Sequence, residues 1–170
     1  MSETMIERFL PDADATDTLG RALAATRPEA TRHAPAVVYL HGDLGAGKST
    51  LARAWLRALG VEGPIRSPTY TLVERYPVPG GEALHLDLYR IGGAGELEFL
   101  GLDEAGAVLW LVEWPERGGG ALPAPDLEVD LAVAGEGRGV RLRATGVAGD
   151  AWLARLAGHG DLRVFPESNP

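Results

Sequence analysis

Cysteine is absent from the 170 residues, which excludes a disulfide framework and a thiolate metal site and gives secretion no support. No apolar run approaches the roughly 20 residues that a membrane-spanning helix requires. The first residues, Met1-Ser2-Glu3-Thr4, have neither the basic start nor the apolar centre of a signal peptide. A soluble cytoplasmic protein is therefore expected. Basic residues are in the minority, 16 against 24 acidic, for a formal charge of −8. That balance argues against an extended nucleic-acid surface, because such binding rests on Lys and Arg neutralising phosphates. Any service to RNA is expected to run through a partner. No internal repeat is visible, and the glycine clusters read as loops. The length suits one domain, over residues 1–157, with a flexible tail over 158–170.

Lysine is scarcer than any other charged residue: Lys48 is the only one, and the other fifteen basic residues are arginine. It stands in Gly42-Asp43-Leu44-Gly45-Ala46-Gly47-Lys48-Ser49-Thr50. An apolar run, Val37-Val38-Tyr39-Leu40, precedes this stretch and an amphipathic pattern follows it. Strand, glycine loop and helix in that order are the context of a phosphate-binding P-loop. Glycine tolerates positive φ and close approach, so the backbone N–H groups of residues 43–50 can turn inward around an anion. Lys48 supplies a compact ammonium for the β- and γ-phosphates, where arginine's planar fork would not fit. The Ser49 hydroxyl suits Mg²⁺ on the same oxygens.

The rest of the chain reads as an α/β domain. Residues 5–10 suggest a strand, and 14–25 a helix with Leu19, Ala22 and Leu23 on one face, capped by Asp12 or Asp14. Residues 28–35 form a polar connector. After the P-loop helix, ended by Gly60, residues 70–76 and 83–88 look like a hairpin about a turn at 77–81. Residues 96–100 make a helical turn stopped by Gly101. Residues 108–112 are apolar throughout, hence a buried strand. Residues 127–131 and 140–143 alternate apolar with charged residues, which predicts an antiparallel hairpin with one wet face at a sheet edge. Residues 150–156 form a last helix.

Hydrolysis needs a carboxylate near the metal, and in open α/β sheets such groups sit at the carboxyl ends of buried strands. Glu113 follows the run 108–112, and Asp87 sits in His85-Leu86-Asp87-Leu88-Tyr89-Arg90, an alternation that puts His85, Asp87 and Tyr89 on one strand face. Either acid can orient the attacking water. Ser67-Pro68-Thr69-Tyr70 lies where a mobile segment can sense the γ-phosphate through Thr69. Trp114 is placed for a nucleotide or partner contact. The acids Glu96, Glu98, Asp103 and Glu104 read as a solvated face or a docking surface.

In order, the P-loop, Ser67-Pro68-Thr69-Tyr70, His85-Leu86-Asp87-Leu88-Tyr89-Arg90, Glu96-Leu97-Glu98-Phe99-Leu100-Gly101 and Val112-Glu113-Trp114-Pro115 resemble one family. It is the bacterial ATPase family TsaE of tRNA threonylcarbamoyladenosine biosynthesis. The resemblance implies a P-loop NTPase fold, a mainly parallel central sheet with added antiparallel strands and helices on both faces. It implies a Mg²⁺-dependent ATPase that acts on a complex of TsaD and TsaB and supports its repeated threonylcarbamoylation of adenosine 37 in tRNAs reading codons that begin with adenine. By resemblance, Ser49 and Glu113 hold Mg²⁺, Thr16 lies near the adenine, and a late arginine, Arg138 or Arg141, covers the nucleotide. The rival readings are a small-molecule kinase and a non-catalytic module gated by nucleotide.

Overall fold

The apolar runs around Val38 and Leu109 lie side by side at the centre of one seven-stranded sheet in the computed structural model. The structure describes residues 5–29, 34–93, 95–102, 106–163 and 165–166. In chain order the elements are β1 (Met5–Leu10), α1 (Ala13–Thr26), β2 (Ala36–His41), α2 (Lys48–Ala58), β3 (Val73–Val78) and β4 (Gly81–Asp87). They continue as α3 (Gly95–Glu98), β5 (Ala107–Glu113), β6 (Leu127–Ala134), β7 (Gly137–Ala144), α4 (Val147–Ala157) and α5 (Gly160–Arg163). The strand order is β1-β7-β6-β2-β5-β4-β3. The four central strands β6, β2, β5 and β4 run parallel, while β7, β1 and β3 add antiparallel pairs at the flanks. Among the described residues no helix is long and apolar enough to cross a membrane.

Strand alternation divides the core in two. Val38, Leu40, Leu109, Leu111, Val129 and Leu142 face α1, α2, α4 and α5, and Trp55 of α2 meets Trp152 of α4 edge to face at 5.6 Å. Val37, Leu84, Leu86, Trp110 and Val112 face the other way, toward α3 and the segment around Ile91 and Leu102. The helices end as their sequences dictate. Asp12 caps α1 by accepting from the Ala15 N–H at 2.9 Å. Gly60, at φ 95°, closes α2, with its own N–H on the Arg57 carbonyl and the Val61 N–H on the Leu56 carbonyl.

Four expectations shift. The β6–β7 hairpin is not at the sheet edge: β6 pairs with β2, and β1 covers β7. Its alternation has another cause. The charged face carries a row of pairs, Arg141–Glu7 at 2.8 Å, Arg143–Asp130 at 3.2 Å and His41–Glu128 at 3.0 Å, open to water without being an edge. The strand expected from residue 70 begins at Val73, because the Leu72 N–H turns back to the Pro68 carbonyl and Leu72 takes φ 66°. The hairpin turn narrows from residues 77–81 to Pro79 and Gly80. Past residue 158 the described residues pack rather than hanging free, with Leu162 fully buried and Phe165 nearly so. The Phe9 N–H donates to the Pro166 carbonyl at 2.8 Å. Met1-Ser2-Glu3-Thr4, residues 30–33 of the polar connector, Asp103, Glu104 and residues 167–170 lie outside the described residues.

Candidate phosphate and cation site

Between β2 and α2 the chain must reverse direction within six residues, and three glycines make that possible. Gly42, Gly45 and Gly47 all have positive φ, at 149°, 82° and 107°. At Gly42 space matters as well: a Cβ would lie 2.5 Å from the Leu131 carbonyl oxygen of β6. Gly47 starts α2, and no side chain caps that terminus. The first-turn N–H groups of Lys48, Ser49 and Thr50 are therefore left to an anion or water, where the helix dipole is positive. Arg138 of β7 holds the loop from outside, donating to the Ala46 carbonyl at 3.1 Å and the Gly45 carbonyl at 3.2 Å.

Lys48 is nearly buried, bonded to the Gly42 carbonyl and lying 3.9 Å from the centre of the Trp114 ring. Burial pushes its ammonium below its ordinary value of 10.5, against the pull of Glu113 and Asp87. Trp114 reaches that position through a left-handed backbone, φ 55°, directly after β5. Tyr89 packs against its ring at 5.0 Å, and Arg117 stacks over Tyr89 at 4.8 Å.

Parallel register brings the acids together. Asp87 of β4 is paired with Glu113 of β5, and from the pair Ala83–Leu109 onward the odd-numbered residues of both strands lie on the face that α2 covers. Glu113 is 3 % exposed, with both carboxylate oxygens 3.2–3.3 Å from the Ser49 hydroxyl. His85 is equally buried and its Nε2 lies 2.6 Å from Glu113 Oε2. Asp87 accepts from the Tyr89 N–H at 3.0 Å and from the Thr69 hydroxyl at 3.4 Å, and Thr69 bonds Ser67 at 2.7 Å.

A hollow of about 270 Å³ is lined by Leu44, Gly45, Gly47, Lys48, Ser49, Thr50, Thr69, Asp87, Glu113, Trp114 and Arg138. A second of about 270 Å³ shares Gly47, Thr50 and Arg138 and continues to Leu10, Asp12, Thr16, Glu136 and Gly137. Of the loop residues named from sequence, Asp43 is exposed at the turn, its carbonyl accepting from the Ala46 N–H at 3.0 Å, and Ala46 is buried behind it. The two late arginines part company: Arg138 sits at the junction of the hollows, whereas Arg141 lies on the opposite sheet face with Glu7. Sequence reasoning missed Leu10, Glu136 and Gly137. The signal for Gly137 was weak, a glycine in a hairpin; its Cβ would lie 2.4 Å from the Leu10 carbonyl oxygen.

The donor set fits Mg²⁺. Ser49 and Glu113 offer hard oxygens within one coordination sphere, and two carboxylates face one ammonium, leaving an excess of negative charge for a cation to neutralise. No cluster of three or more His, Asp or Glu able to hold a metal exists among the described residues. Mg²⁺ suits such a sparse site, since it usually keeps waters and shares phosphate oxygens.

Comparison with known proteins places the chain in a family. The family model described as "Threonylcarbamoyl adenosine biosynthesis protein TsaE" matches residues 10–140, from the end of β1 into β7. The chain is 38% identical over 139 residues to the tRNA threonylcarbamoyladenosine biosynthesis protein TsaE of Haemophilus influenzae, covering 81% of this chain and 88% of that one. The protein of the same name from Synechocystis is 42% identical over 124 residues, 69% of this chain and 74% of that one. The crystal structure of Bacillus subtilis YdiB superposes with a TM-score of 0.74 over 94% of this chain and 98% of that chain, at 24% identity, which bears on the fold alone. With a matched segment that contains every site residue from Thr16 to Arg138, the chain belongs to the TsaE family.

Proposed function

We propose that this protein is a Mg²⁺-dependent ATPase of tRNA threonylcarbamoyladenosine biosynthesis that acts on a complex of TsaD and TsaB homologues and supports its turnover on tRNA. One observation carries the catalytic part: the only lysine, the Ser49 hydroxyl and the Glu113 carboxylate converge on one hollow at an uncapped helix N-terminus. Family membership carries the pathway.

ATP places its phosphates in the first hollow and its adenosine in the second, past Thr16. The N–H groups of the glycine loop and of the first turn of α2 donate to the phosphate oxygens. Lys48 exchanges the Gly42 carbonyl for a phosphate oxygen, while the Trp114 ring holds its stem. Ser49 and Glu113 hold Mg²⁺, which when bound neutralises charge on the β- and γ-oxygens. Asp87, tied by Tyr89 and Thr69, accepts a hydrogen bond from the attacking water and so aims it at the γ-phosphorus. Thr69 ties the loop at residues 67–70 to Asp87, so loss of the γ-phosphate changes the surface around the exposed Tyr70 that a partner meets. A kinase reading has less support, since Arg117, the arginine nearest a lid, is stacked on Tyr89.

The test is ATP hydrolysis by the purified chain, alone and with TsaD and TsaB homologues, with and without Mg²⁺. Turnover that needs Mg²⁺, rises with the partners and vanishes in Lys48→Ala is the expected result. Tight nucleotide binding without turnover in every mixture would replace the ATPase with a nucleotide-gated module.

A further inference from the structure

We propose that His85 is a positioning residue for Glu113, fixing which carboxylate oxygen is presented to the cation. This rests on the reading of Glu113 as a Mg²⁺ ligand and extends it to a residue whose role the family match leaves open.

The sheet sets the geometry. Since Asp87 is in register with Glu113 and His85 with Leu111, His85 and Glu113 are diagonal neighbours on one face of adjacent strands. Their side chains meet at 2.6 Å, each at least 97 % buried, and neither can swing into water. The other ring nitrogen, Nδ1, is buried without a hydrogen-bond partner. A proton there would be a buried unsatisfied N–H, so the ring proton sits on Nε2, where Glu113 accepts it.

The carboxylate is thereby made asymmetric. Oε2 receives the histidine N–H, and Ser49, with a single proton, can serve only one oxygen at a time. Once the Ser49 oxygen turns to the cation, His85 is the donor that still holds the carboxylate plane. Oε1 is left as the oxygen facing the hollow. A proton-relay role is disfavoured, because Nδ1 has no group to pass a proton to or from. Outer-shell donors of this kind typically change metal affinity by about 10- to 100-fold when removed.

The experiment is a titration of Mn²⁺ into the full-length protein saturated with ADP, followed by calorimetry and by the electron paramagnetic resonance signal of free Mn²⁺. His85→Leu keeps the volume and loses the N–H, and His85→Gln keeps an N–H near the Nε2 position. Expected are Mn²⁺ binding by the parent protein, a dissociation constant raised about 10- to 100-fold in His85→Leu, partial recovery in His85→Gln, and ADP affinity in EDTA equal in all three. If His85→Leu does not fold, His85→Asn, whose amide falls short of Glu113, replaces it in the same comparison. Mn²⁺ affinity unchanged in the variant without a donor, or ADP affinity in EDTA falling as far as Mn²⁺ affinity, overturns the positioning role. Glu113→Gln separates the two levels: if it too leaves Mn²⁺ affinity unchanged, the ligand reading itself fails.

Discussion

Lys48 has room for an ammonium and little more, between the Gly42 carbonyl and the face of Trp114. Lys48→Arg keeps the charge but needs a planar fork in that gap. Its nucleotide affinity is expected to fall by about 10- to 100-fold, the worth of a charged hydrogen bond, as measured by ADP titration calorimetry. Glu113→Gln keeps shape and removes charge, so Mg²⁺-dependent hydrolysis is expected to drop below detection while the melting temperature moves little. Much of this site was legible. Asp87 and Glu113 were marked as acids at the carboxyl ends of apolar strands, and the glycines by their spacing. The choice between Arg138 and Arg141 was not legible, because the predicted strand began at residue 140 and left Arg138 in the turn, whereas β7 begins at Gly137. Val140 and Leu142 face the helices, Arg138 shares their parity, and Arg141 does not. The His85–Glu113 contact was not legible, because it depends on the register between β4 and β5, which no local pattern encodes.

Element packing leaves its own marks. Gly20 lies where α1 crosses α2, and a Cβ there would lie 2.8 Å from the Ala54 Cβ and 3.0 Å from the Trp55 N. Gly20→Ala is expected to cost about 1–3 kcal/mol by wedging the helices apart, read from urea denaturation. Asp126, just before β6, accepts the Val37 N–H at 2.9 Å at the entry to β2. Burial raises its carboxyl above the ordinary 3.8, and the Val37 N–H offsets this only in part. The folded protein thus holds that proton more tightly than the unfolded chain. The stabilisation is fully present below 3.8 and is lost as pH rises through the folded value. Asp126→Asn keeps an acceptor for Val37 and is expected to flatten that decline in denaturation curves taken across the window. The sequence placed β6 at an edge because alternation reports only that one face meets water. It cannot say whether another strand lies alongside.

For the whole molecule, the segment after α4 is structural. Leu162 is fully buried against the cluster that also holds Leu19, Leu23 and Trp152. Leu162→Ala is expected to cost about 2–5 kcal/mol, seen as a lower denaturation midpoint with unchanged nucleotide affinity. This packing escaped sequence reasoning because three apolar residues, Leu162, Val164 and Phe165, among glycine, proline and polar neighbours are too few to set a period. β1 is the other long-range feature. Met5 pairs with Arg143 and Leu10 with Arg138, and the Phe9 N–H is taken by Pro166. β1 is therefore made long before β7, the strand it pairs with. Until β7 follows, the β1 edge stays open on the nascent chain, a ready template for pairing with other chains.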